Sequence, residues 1–560
     1  MTVPLEMWGG VECSVVRIGD RTRNQLLETG HYQRAHDLEL IAGLGIRTLR
    51  YPVLWEMVEP TAGGYDWTWV DRRLHRLREL GIRPVVGLLH HGNGPAWIDL
   101  LHQDFPRRFS EFAARVAQRY PWVDMFTPIN EPQTTARISG LYGLWHPHGR
   151  DEATFLHLTV AQCRSIALAM DAIRQHTPGA LLVQTEDVGR VFANPRLAYQ
   201  ADYENQRRWL ALDLLTGRVD GGHLLHKRMR DAGIGDDLLA KLAAAPCPPD
   251  IIGIDYYLTS DRMLDDRLER YPLEHPGGNG FDVYADIAAV RSDRREESGL
   301  GSRIAETWDR YHLPIAVTEL HNGSTRDEQL RWLIEGWTGA RAAKDCGIDV
   351  RAVTSWSLFG AVDWNTMLLN RDHYYESGAF DIRGGGPRPT AIAAAIASLV
   401  RQEALDHPAL DRSGWWRSEP MPRAAARTIL LNGWGRLASV IEACCASRRL
   451  AVRQASPEQL LSPTALHGAW ASIVIDEGAT SHRTGRLKCT YSDLSHMTLR
   501  FSTALPSVAV ANAFLDLMVD GGRGIFELKR AGLHNQYEVV QLAAEPTGGE
   551  VVRDGYSHVA

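Results

Sequence analysis

The segment Asp124–Gly149, DMFTPINEPQTTARISGLYGLWHPHG, joins an apolar run to a single acidic residue. Met125–Asn130 is apolar and short enough for a buried strand, and Glu131 follows it directly, ahead of Pro132. A carboxylate at the end of a buried strand is costly to desolvate, so it requires a partner or a chemical role. The segment therefore predicts a strand whose carboxyl end carries functional chemistry.

The same pattern, an apolar strand ended by polar residues, recurs from the N-terminus to about residue 402. Eight strand–helix units predict an α/β fold, a (β/α)8 TIM barrel. A doubly wound open sheet gives the same alternation, but the number of units and the polar strand ends favour the barrel. The predicted strands are Glu6–Glu12, Thr48–Leu54, Pro84–His90, Met125–Asn130, Leu181–Thr185, Ile251–Tyr257, Pro314–Glu319 and Ala352–Leu358. Predicted helices between and after them include Ala35–Leu44, Trp69–Leu80, Phe109–Tyr120, Ala153–Gln175, Arg326–Ala343 and Pro389–Val400.

The periodicity breaks after residue 403, which predicts a domain boundary. Residues 404–424 carry several prolines and read as a linker. Arg427–Ser456 then follows the order strand, glycine turn, helix, strand. The prediction is a barrel domain over residues 1–403 and a smaller Rossmann-like α/β domain over residues 425–560.

Composition limits the class of partner. The chain has 560 residues, 44% hydrophobic and 23% charged, with a net charge of −7. This mild acidity favours neither nucleic acid nor an anionic membrane as partner. No signal peptide and no apolar run long enough to span a membrane is recognisable, so we expect a cytoplasmic protein. The seven scattered cysteines form no C-x-x-C pair, so we expect reduced thiols and no metal site.

The predicted strand ends carry many carboxylates interleaved with tryptophans, a combination that suits a carbohydrate. Glu131 ends the fourth predicted strand and Glu319 ends the seventh. These two strands face each other across an eight-stranded barrel. Retaining glycosidases need two carboxyl groups about 5–5.5 Å apart, one as acid/base and one as nucleophile. The pair therefore predicts glycoside chemistry.

Several segments resemble glycoside hydrolase family 1, in the order in which that family has them. TPINEPQ is similar to its T-x-N-E-P signature and VTELHNG to its T-E-N-G nucleophile segment. Further similarities lie in WGGVECS, LRYPVLWEMVEP, LLHHGNGP, PDIIGIDYY, SWSLFGAVDW and YYESGAFDI. The resemblance covers residues 5–402.

The resemblance implies a role for each matching position. Glu131 would be the acid/base and Glu319 the nucleophile, with a carbohydrate as substrate and no metal or cofactor. The positions that would hold the glycone or the nucleophile are Asn130 at the sugar 2-OH, Arg50 and Tyr256 beside Glu319, His90 at the glycone, Trp356 as its platform, and Asp363 with Trp364 at its distal hydroxyls.

Four departures from the family pattern fall on sugar recognition. Val16 stands at the spacing of the family's first-strand glutamine, so that Glu12 or Arg17 would fill its place. His91 replaces a tryptophan, Asp255 an asparagine and Asp363 a glutamate. We therefore expect retained chemistry on an unusual glycone. Whether His91 and Glu12 contact the ligand or are loop residues is left open.

The C-terminal segment ILLNGWGRLA fits the pattern G-x-G-x-x-A with Gly433, Gly435 and Ala438. It resembles the Rossmann family that contains dTDP-4-dehydrorhamnose reductase, as does the helix–strand segment Val508–Gly532. Gly433 and Gly435 are therefore the candidates for a cofactor site. About 135 residues remain for this domain, however, and no Tyr-x-x-x-Lys pair is present. We expect a shortened Rossmann-like domain that has no catalytic role.

The sequence thus predicts a retaining β-glycosidase that works by double displacement, on a glucoside-like, galactoside-like or unusual glycone. A sugar-nucleotide oxidoreductase with a glycan-binding barrel and a non-catalytic sugar-binding scaffold are the alternatives. Transglycosylation and assembly into a homo-oligomer are left open.

Overall fold

A computed structural model describes residues 4–271, 276–384, 386–417, 426–461, 469–476, 484–530 and 537–543. Within these residues, eight parallel strands close into a barrel, because β1 pairs with both β2 and β8. The strands are β1 Glu6–Gly10, β2 Thr48–Pro52, β3 Arg83–His90, β4 Met125–Asn130, β5 Leu181–Asp187, β6 Ile251–Tyr256, β7 Ile315–Leu320 and β8 Val350–Ser355. The predicted (β/α)8 barrel is confirmed.

A helix packs outside the barrel after each strand. These helices are α1 Asp37–Gly43, α2 Thr68–Glu79, α3 Phe105–Arg119, α4 Glu152–His176, α5 Leu210–Leu215, α6 Leu300–Tyr311, α7 Arg326–Asp345 and α8 Ala391–Val400. Further helices in the loops are Gln25–Glu28, Trp55–Val58, Pro132–Ala136, Ala198–Arg207, His226–Asp231 and Asp236–Ala244, and Arg137–Leu141 is a turn of π-helix. All six helices predicted from the sequence are present, with ends shifted by a few residues.

The barrel interior divides into an apolar end and a polar end. One cluster of inward-facing side chains fills the amino-terminal end: Trp8, Val85, Met125, Val183, Ile251, Ala316 and Ala352. The outward-facing residues of the strands join a larger core beneath the helices. Because inward and outward positions alternate along each strand, the polar residues that follow this layer converge at the carboxyl ends of the strands.

The loops at the carboxyl ends carry additional β-structure. A hairpin, Val15–Ile18 with Arg21–Asn24, follows β1. A four-stranded sheet is built by the loops after β5 and β6, from Val191–Ala193, Arg262–Asp265, Pro276–Gly278 and Val283–Ala288. The loop after β8 forms the short pairs Ala361–Val362 with Tyr375–Glu376 and Phe380–Asp381 with Arg388–Pro389. These segments surround the polar end of the barrel.

The C-terminal unit is a mixed sheet with two main helices. Its described strands are β9 Thr428–Asn432, β10 Val452–Gln454, β11 Ala469–Asp476, β12 Thr484–Tyr491, β13 His496–Ser502, β14 Gly524–Arg530 and β15 Tyr537–Ala543, in the order β10-β9-β11-β12-β13-β14-β15. The helices are α9 Arg436–Ser447 and α10 Ser507–Val519, with a short helix at Pro457–Leu461.

Only part of this unit follows the sequence prediction. The expected strand–helix–strand order over Arg427–Ser456 is present, and β9 pairs in parallel with β10 and β11. The helix–strand order expected over Val508–Gly532 is also found as α10 and β14. However, β12 runs antiparallel to both β11 and β13, and β15 runs antiparallel to β14. A Rossmann-like domain is therefore not confirmed.

The predicted linker is packed where it is described. Pro408–Asp411 forms a 3-10 turn, and the ring of Trp416 is buried with its centroid 5.5 Å from that of Trp332 on α7. The remainder of the predicted linker, residues 418–424, lies outside the described residues. No helix among the described residues is long and apolar enough to cross a membrane.

Candidate active site

Glu131 and Glu319 lie at the carboxyl ends of β4 and β7, and both are almost completely buried. Glu131 has a left-handed backbone (φ 44°) and caps the helix Pro132–Ala136. Such a conformation is unfavourable for a residue with a Cβ and is concentrated at functional sites. Glu319 follows a register shift of β7 against β6 after Val317, and bulges of this kind re-aim a side chain.

The Glu319 carboxylate is bound by a cation and a phenol. Arg50 Nη1 lies 2.8 Å from Glu319 Oε1. The hydroxyl of Tyr257 donates to Oε2, and His90 Nε2 lies 4.0 Å from Oε1. A guanidinium and an O–H donor both stabilise the ionised carboxylate.

The Glu131 carboxyl has the opposite surroundings. Burial raises its pKa well above the usual range, and the carboxyls of Asp255, Glu319, Glu186 and Asp187 raise it further. Its one described side-chain neighbour within ion-pair distance is His91, whose Nε2 lies 3.3 Å from Oε2. Glu131 is therefore suited to hold a proton.

A hydrogen-bond network connects the Glu319 carboxylate to the side chain of Asn130, the residue before Glu131. Asn130, directly before Glu131, accepts hydrogen bonds at Oδ1 from Arg50 Nη2 and, at 2.7 Å, from the Thr185 hydroxyl. Its Nδ2 lies 3.4 Å from His90 Nε2. Arg50 and His90 each reach from Asn130 to Glu319, so that the ends of β4 and β7 are held in one frame.

An aromatic wall lines one side of this network. The indole of Trp356 stacks on His90 with centroids 5.4 Å apart, and the Arg50 guanidinium lies 4.7 Å from the Trp356 ring. Trp145 and Trp364 flank the His91 ring at 5.5 and 5.7 Å. The predicted residues His90, His91, Trp356 and Trp364 are thus brought together.

Tyr256 does not contact Glu319, which corrects the sequence prediction. Its hydroxyl donates to Asp261 at 2.9 Å and its ring stacks on Trp332, outside the barrel. Side chains alternate between the two faces of a strand, so Asp255 and Tyr257 point inward while Tyr256 points outward. The tyrosine that the sequence prediction missed is Tyr257, one position later in the same Tyr-Tyr pair.

Glu12 lies beside the aromatic wall. Its Oε1 accepts from the amide and hydroxyl of Ser14 at 2.9 and 2.6 Å, and Trp356 Nε1 donates to Oε2 at 3.3 Å. Burial, together with the charge of Glu319, raises the pKa of Glu12 to about 7. Val16, which stands where the family has glutamine, is fully buried in an apolar cluster with Trp145.

Asp363 is engaged by the protein itself. Arg23 Nη2 donates to its Oδ2 at 2.8 Å and the amide of Tyr374 to its Oδ1 at 2.7 Å. Asp363 is fully buried and adopts a left-handed backbone (φ 60°). Arg23 lies 340 residues before Asp363 in the chain, and nothing in its local sequence predicted this partnership.

Two further acids lie close to the site. Asp255 accepts from the Thr318 hydroxyl at 2.6 Å, while its Oδ2 is buried and has no hydrogen-bond partner among the described residues. Glu186 accepts from the amides of Gln133 and Thr134, at the start of the helix that follows Glu131. Burial raises the pKa of Glu186 to about 7.

The glycine loop of the C-terminal unit is not part of this site. Gly433 and Gly435 have positive φ angles of 150° and 93°, and Gly435 is the N-cap residue of α9. Trp434 between them is 83% exposed. Within the described residues, no group of three or more His, Cys, Asp or Glu side chains is arranged to hold a metal ion.

The comparisons with known proteins agree with this geometry. Residues 19–373 match the model of glycosyl hydrolase family 1. The chain is 23% identical over 387 residues to the aryl-phospho-β-D-glucosidase BglC of Bacillus subtilis, which covers 61% of this chain and 80% of the relative. It is also 24% identical over 386 residues to the thermostable β-glucosidase B of Thermobispora bispora, in a match that covers 60% of this chain and 73% of that relative.

The barrel also resembles solved structures. The family 1 β-glucosidase of Thermotoga maritima matches with a TM-score of 0.57 and 16% identity, over 72% of this chain and 98% of that one. At this identity the likeness concerns the fold alone. Because the family model spans more than half of the chain, this protein belongs to glycosyl hydrolase family 1 and is a glycoside hydrolase.

Proposed function

We propose that this protein hydrolyses β-glycosides with retention of configuration, with Glu131 as general acid/base and Glu319 as nucleophile. The observation that carries the proposal is the unequal environment of the two carboxyls. Arg50 and Tyr257 bind Glu319, whereas burial and neighbouring carboxyls raise the pKa of Glu131 well above its usual range. When the surroundings of two carboxyls favour the ionised form of one and the protonated form of the other, they suit the first to act as nucleophile and the second as acid.

The proposed reaction needs only these two groups, the glycoside and water. In the first step the Glu319 carboxylate forms a bond to the anomeric carbon, while the Glu131 proton passes to the departing glycosidic oxygen. In the second step Glu131 takes a proton from water, and the resulting hydroxyl displaces Glu319 from the anomeric carbon. Glu131 ends protonated and Glu319 ionised, as at the start. A second hydroxyl compound in place of water gives transglycosylation.

The surrounding residues support binding of a sugar ring between the carboxyls. Asn130, the residue before Glu131, is held by Thr185 and by Arg50, which also binds Glu319, as expected for a contact to the sugar 2-OH. The Trp356 indole offers an apolar surface to sugar C–H groups. His90, which stacks on that indole, is proposed as a glycone contact.

The glycone is proposed to be glucoside-like or galactoside-like, with altered distal contacts. Asp363 is shorter than the family's glutamate and is bound by Arg23, so its reach toward distal hydroxyls depends on that ion pair. Glu12 presents a carboxyl near Trp356. The family instead has a glutamine for this purpose, at the spacing where this chain has Val16. Trp364 completes this part of the proposed pocket.

A panel of 2,4-dinitrophenyl 2-deoxy-2-fluoro-β-glycosides of different sugars tests the proposal. We expect stoichiometric release of the phenol and a mass increase located on the peptide that contains Glu319, for the sugar that fits. Glu319→Gln should abolish both labelling and turnover. Labelling of another carboxyl, or turnover by Glu319→Gln equal to that of the wild type, would contradict the assignment.

We infer that the C-terminal unit is non-catalytic and packs against the barrel. The absence of a Tyr-x-x-x-Lys pair in the sequence supports this inference, and so do the buried ion pairs that join Asp520 to Arg326 and Arg388 of the barrel. Titration with NADH and NADPH, followed by nicotinamide fluorescence, tests it. We expect no saturable binding, and tight binding would restore the oxidoreductase interpretation.

A further inference from the structure

His91 lies within ion-pair distance of the Glu131 carboxyl. Its Nε2 lies 3.3 Å from Glu131 Oε2, and its Nδ1 lies 2.9 Å from the hydroxyl oxygen of Thr135. His91 is 3% exposed, has a left-handed backbone (φ 56°), and its ring is flanked by Trp145 and Trp364. The imidazole is therefore fixed in place with one nitrogen toward each partner.

Thr135 determines which nitrogen of His91 carries the proton. The Thr135 side chain is fully buried, and His91 Nδ1 is the hydrogen-bond partner of its hydroxyl within the described part of the chain. A buried hydroxyl that does not donate its hydrogen loses a hydrogen bond and destabilises the fold. If Nδ1 carried the proton, the hydroxyl hydrogen would have no acceptor. Thr135 therefore donates to Nδ1, and the single proton of a neutral imidazole lies on Nε2.

His91 is neutral in this environment. Burial, together with the charge of Arg50, lowers its pKa to about 3. A neutral imidazole in the Nε2–H form directs an N–H donor at Glu131 Oε2. The present distance is long for a hydrogen bond, and catalytic hydrogen bonds of this kind tighten when substrate binds.

We propose that His91 is a positioning residue for the acid/base Glu131: its Nε2–H holds Oε2, and Oε1 is left to exchange the proton with the glycosidic oxygen and with water. This inference rests on the proposed function of Glu131. The Thr135–His91–Glu131 chain depends on histidine at a position where the family has tryptophan, so it is a property of this protein rather than of the family pattern.

The inference gives a definite direction for the pH dependence. A donor to the ionised carboxylate favours that form and opposes the increase in pKa caused by burial. Removal of the His91 N–H should therefore raise the pKa of Glu131 further and move the basic limb of kcat/KM to higher pH. The other ionisable groups that act on Glu131 are unchanged by this substitution: Asp255, Glu319, Glu186, Asp187 and Tyr257. Arg50, whose charge acts on His91, is unchanged as well.

Leaving-group dependence separates this role from a structural one. His91→Phe keeps an aromatic ring between the two tryptophans, and His91→Asn tolerates the left-handed backbone; neither presents an N–H at the position of Nε2. We expect each to lower kcat/KM at least about tenfold more for a phenyl glycoside than for the 2,4-dinitrophenyl glycoside, whose departure needs no acid. Thr135→Val should act in the same direction with a smaller effect.

A second measurement does not depend on activity. Nitrogen-15 spectra of histidine-labelled protein, with His91→Asn to identify the signals, should show a protonated Nε2 and an unprotonated Nδ1 in the wild type. A protonated Nδ1 would overturn the inference. Equal losses for both leaving groups, or a basic limb that stays in place or moves to lower pH, would also overturn it.

The outcomes distinguish this inference from the proposed function. If the wild type turns over none of the glycosides, the proposed function fails and the role of His91 fails with it. A different result would overturn only the present inference. In that case the wild type is active and Glu131→Ala loses more activity on the phenyl glycoside than on the 2,4-dinitrophenyl glycoside, but the His91 variants show no such difference.

Discussion

Arg50 Nη1 lies 2.8 Å from Glu319 Oε1, in a part of the barrel that solvent barely reaches. The same nitrogen donates to the carbonyl of Thr318 at 2.8 Å, and Nη2 donates to Asn130. One guanidinium thus binds the proposed nucleophile and the residue that precedes the proposed acid. This geometry depends on the planar fork of arginine, which lysine does not reproduce.

Arg50→Lys should therefore lower kcat much more than it raises KM. We expect a loss of about 10²–10³-fold in kcat, comparable to the removal of a preorganised charge or donor from an active site. Steady-state kinetics with an aryl glycoside that the wild type accepts would measure it. A loss below about tenfold, in a variant with wild-type thermal stability, would contradict the role given to Arg50.

The adjacent tyrosines provide a matched pair of substitutions. Tyr257→Phe removes the hydroxyl that donates to Glu319, and we expect kcat/KM to fall about 10- to 100-fold because a hydrogen bond to a charged group is lost. Tyr256→Phe removes the hydrogen bond to Asp261 outside the barrel. Because this partner is also a carboxylate, the substitution should lower the free energy of unfolding by about 1.5–3 kcal/mol, and it should leave kcat/KM close to that of the wild type.

The two variants would be compared by kinetics and by denaturant unfolding on the same preparations. An activity loss confined to Tyr256→Phe would contradict the orientation described for the two side chains and the role given to Tyr257.

These tyrosines show which features of the sixth strand can be predicted from the sequence and which cannot. The apolar run PDIIGIDYY predicts the sixth strand and its polar end correctly, but a pattern match does not fix which of two neighbouring tyrosines faces inward. The structure fixes it, because Asp255 lies inside the barrel and strand residues alternate. A shift by one residue moves a side chain to the opposite face.

Long-range partners are the other part that the sequence could not supply. Glu131 and Glu319 were predictable because an acid at the end of an apolar strand stands out locally. The Arg23–Asp363 ion pair joins residues 340 positions apart, and the Thr135–His91 contact joins two loops. The C-terminal unit is a similar case. Its strand–helix–strand start predicted a Rossmann-like sheet, but the directions of its later strands depend on their pairing partners, which sequence periodicity does not identify.

The pH–rate profile should follow the proton on Glu131. Activity requires the protonated acid, and its raised pKa keeps it protonated well above the usual range for glutamate. We therefore expect kcat/KM for a phenyl glycoside to stay high through neutral pH and to decline on the alkaline side. In Glu131→Ala this alkaline limb should disappear and azide should restore turnover of a 2,4-dinitrophenyl glycoside. An unchanged alkaline limb in that variant would assign the proton to another group.

Glu56 offers a test of carboxyl burial outside the proposed chemistry. Both of its carboxyl oxygens are buried, and a Cβ at Gly92 would lie 1.8 Å from Oε1. Burial raises its pKa from 4.5 to about 7. The folded state therefore binds the proton more tightly than the unfolded state, so the stabilisation present below pH 4.5 is lost as pH rises toward 7.

Glu56→Gln cannot ionise and should escape this loss. Relative to the wild type, its free energy of unfolding should increase by on the order of 3 kcal/mol between acidic and mildly alkaline pH, from a shift of about 2.5 pKa units. Denaturant unfolding at several pH values would measure the difference. Parallel stability curves for the two proteins would show that the carboxyl is solvated.

Asp520 joins the C-terminal unit to α7, the helix that follows β7. Its Oδ1 lies 2.8 Å from Arg326 Nε and accepts from the amide of Ala391, and its Oδ2 accepts from Arg388 at 2.8 Å. The Arg326 and Asp520 side chains are each 1% exposed. Removing one partner of a buried ion pair leaves an uncompensated charge, which costs about 3–5 kcal/mol.

Asp520→Asn should therefore destabilise the barrel as well as the C-terminal unit. We expect a loss of about 3 kcal/mol or more in the free energy of unfolding. The matched control is Asp493→Asn, because Asp493 pairs with Arg523 at 3.2 Å on the surface, 62% exposed. That variant should lose no more than about 1 kcal/mol. If Asp520→Asn unfolds at the wild-type denaturant concentration, the C-terminal unit is independent of the barrel and does not stabilise α7.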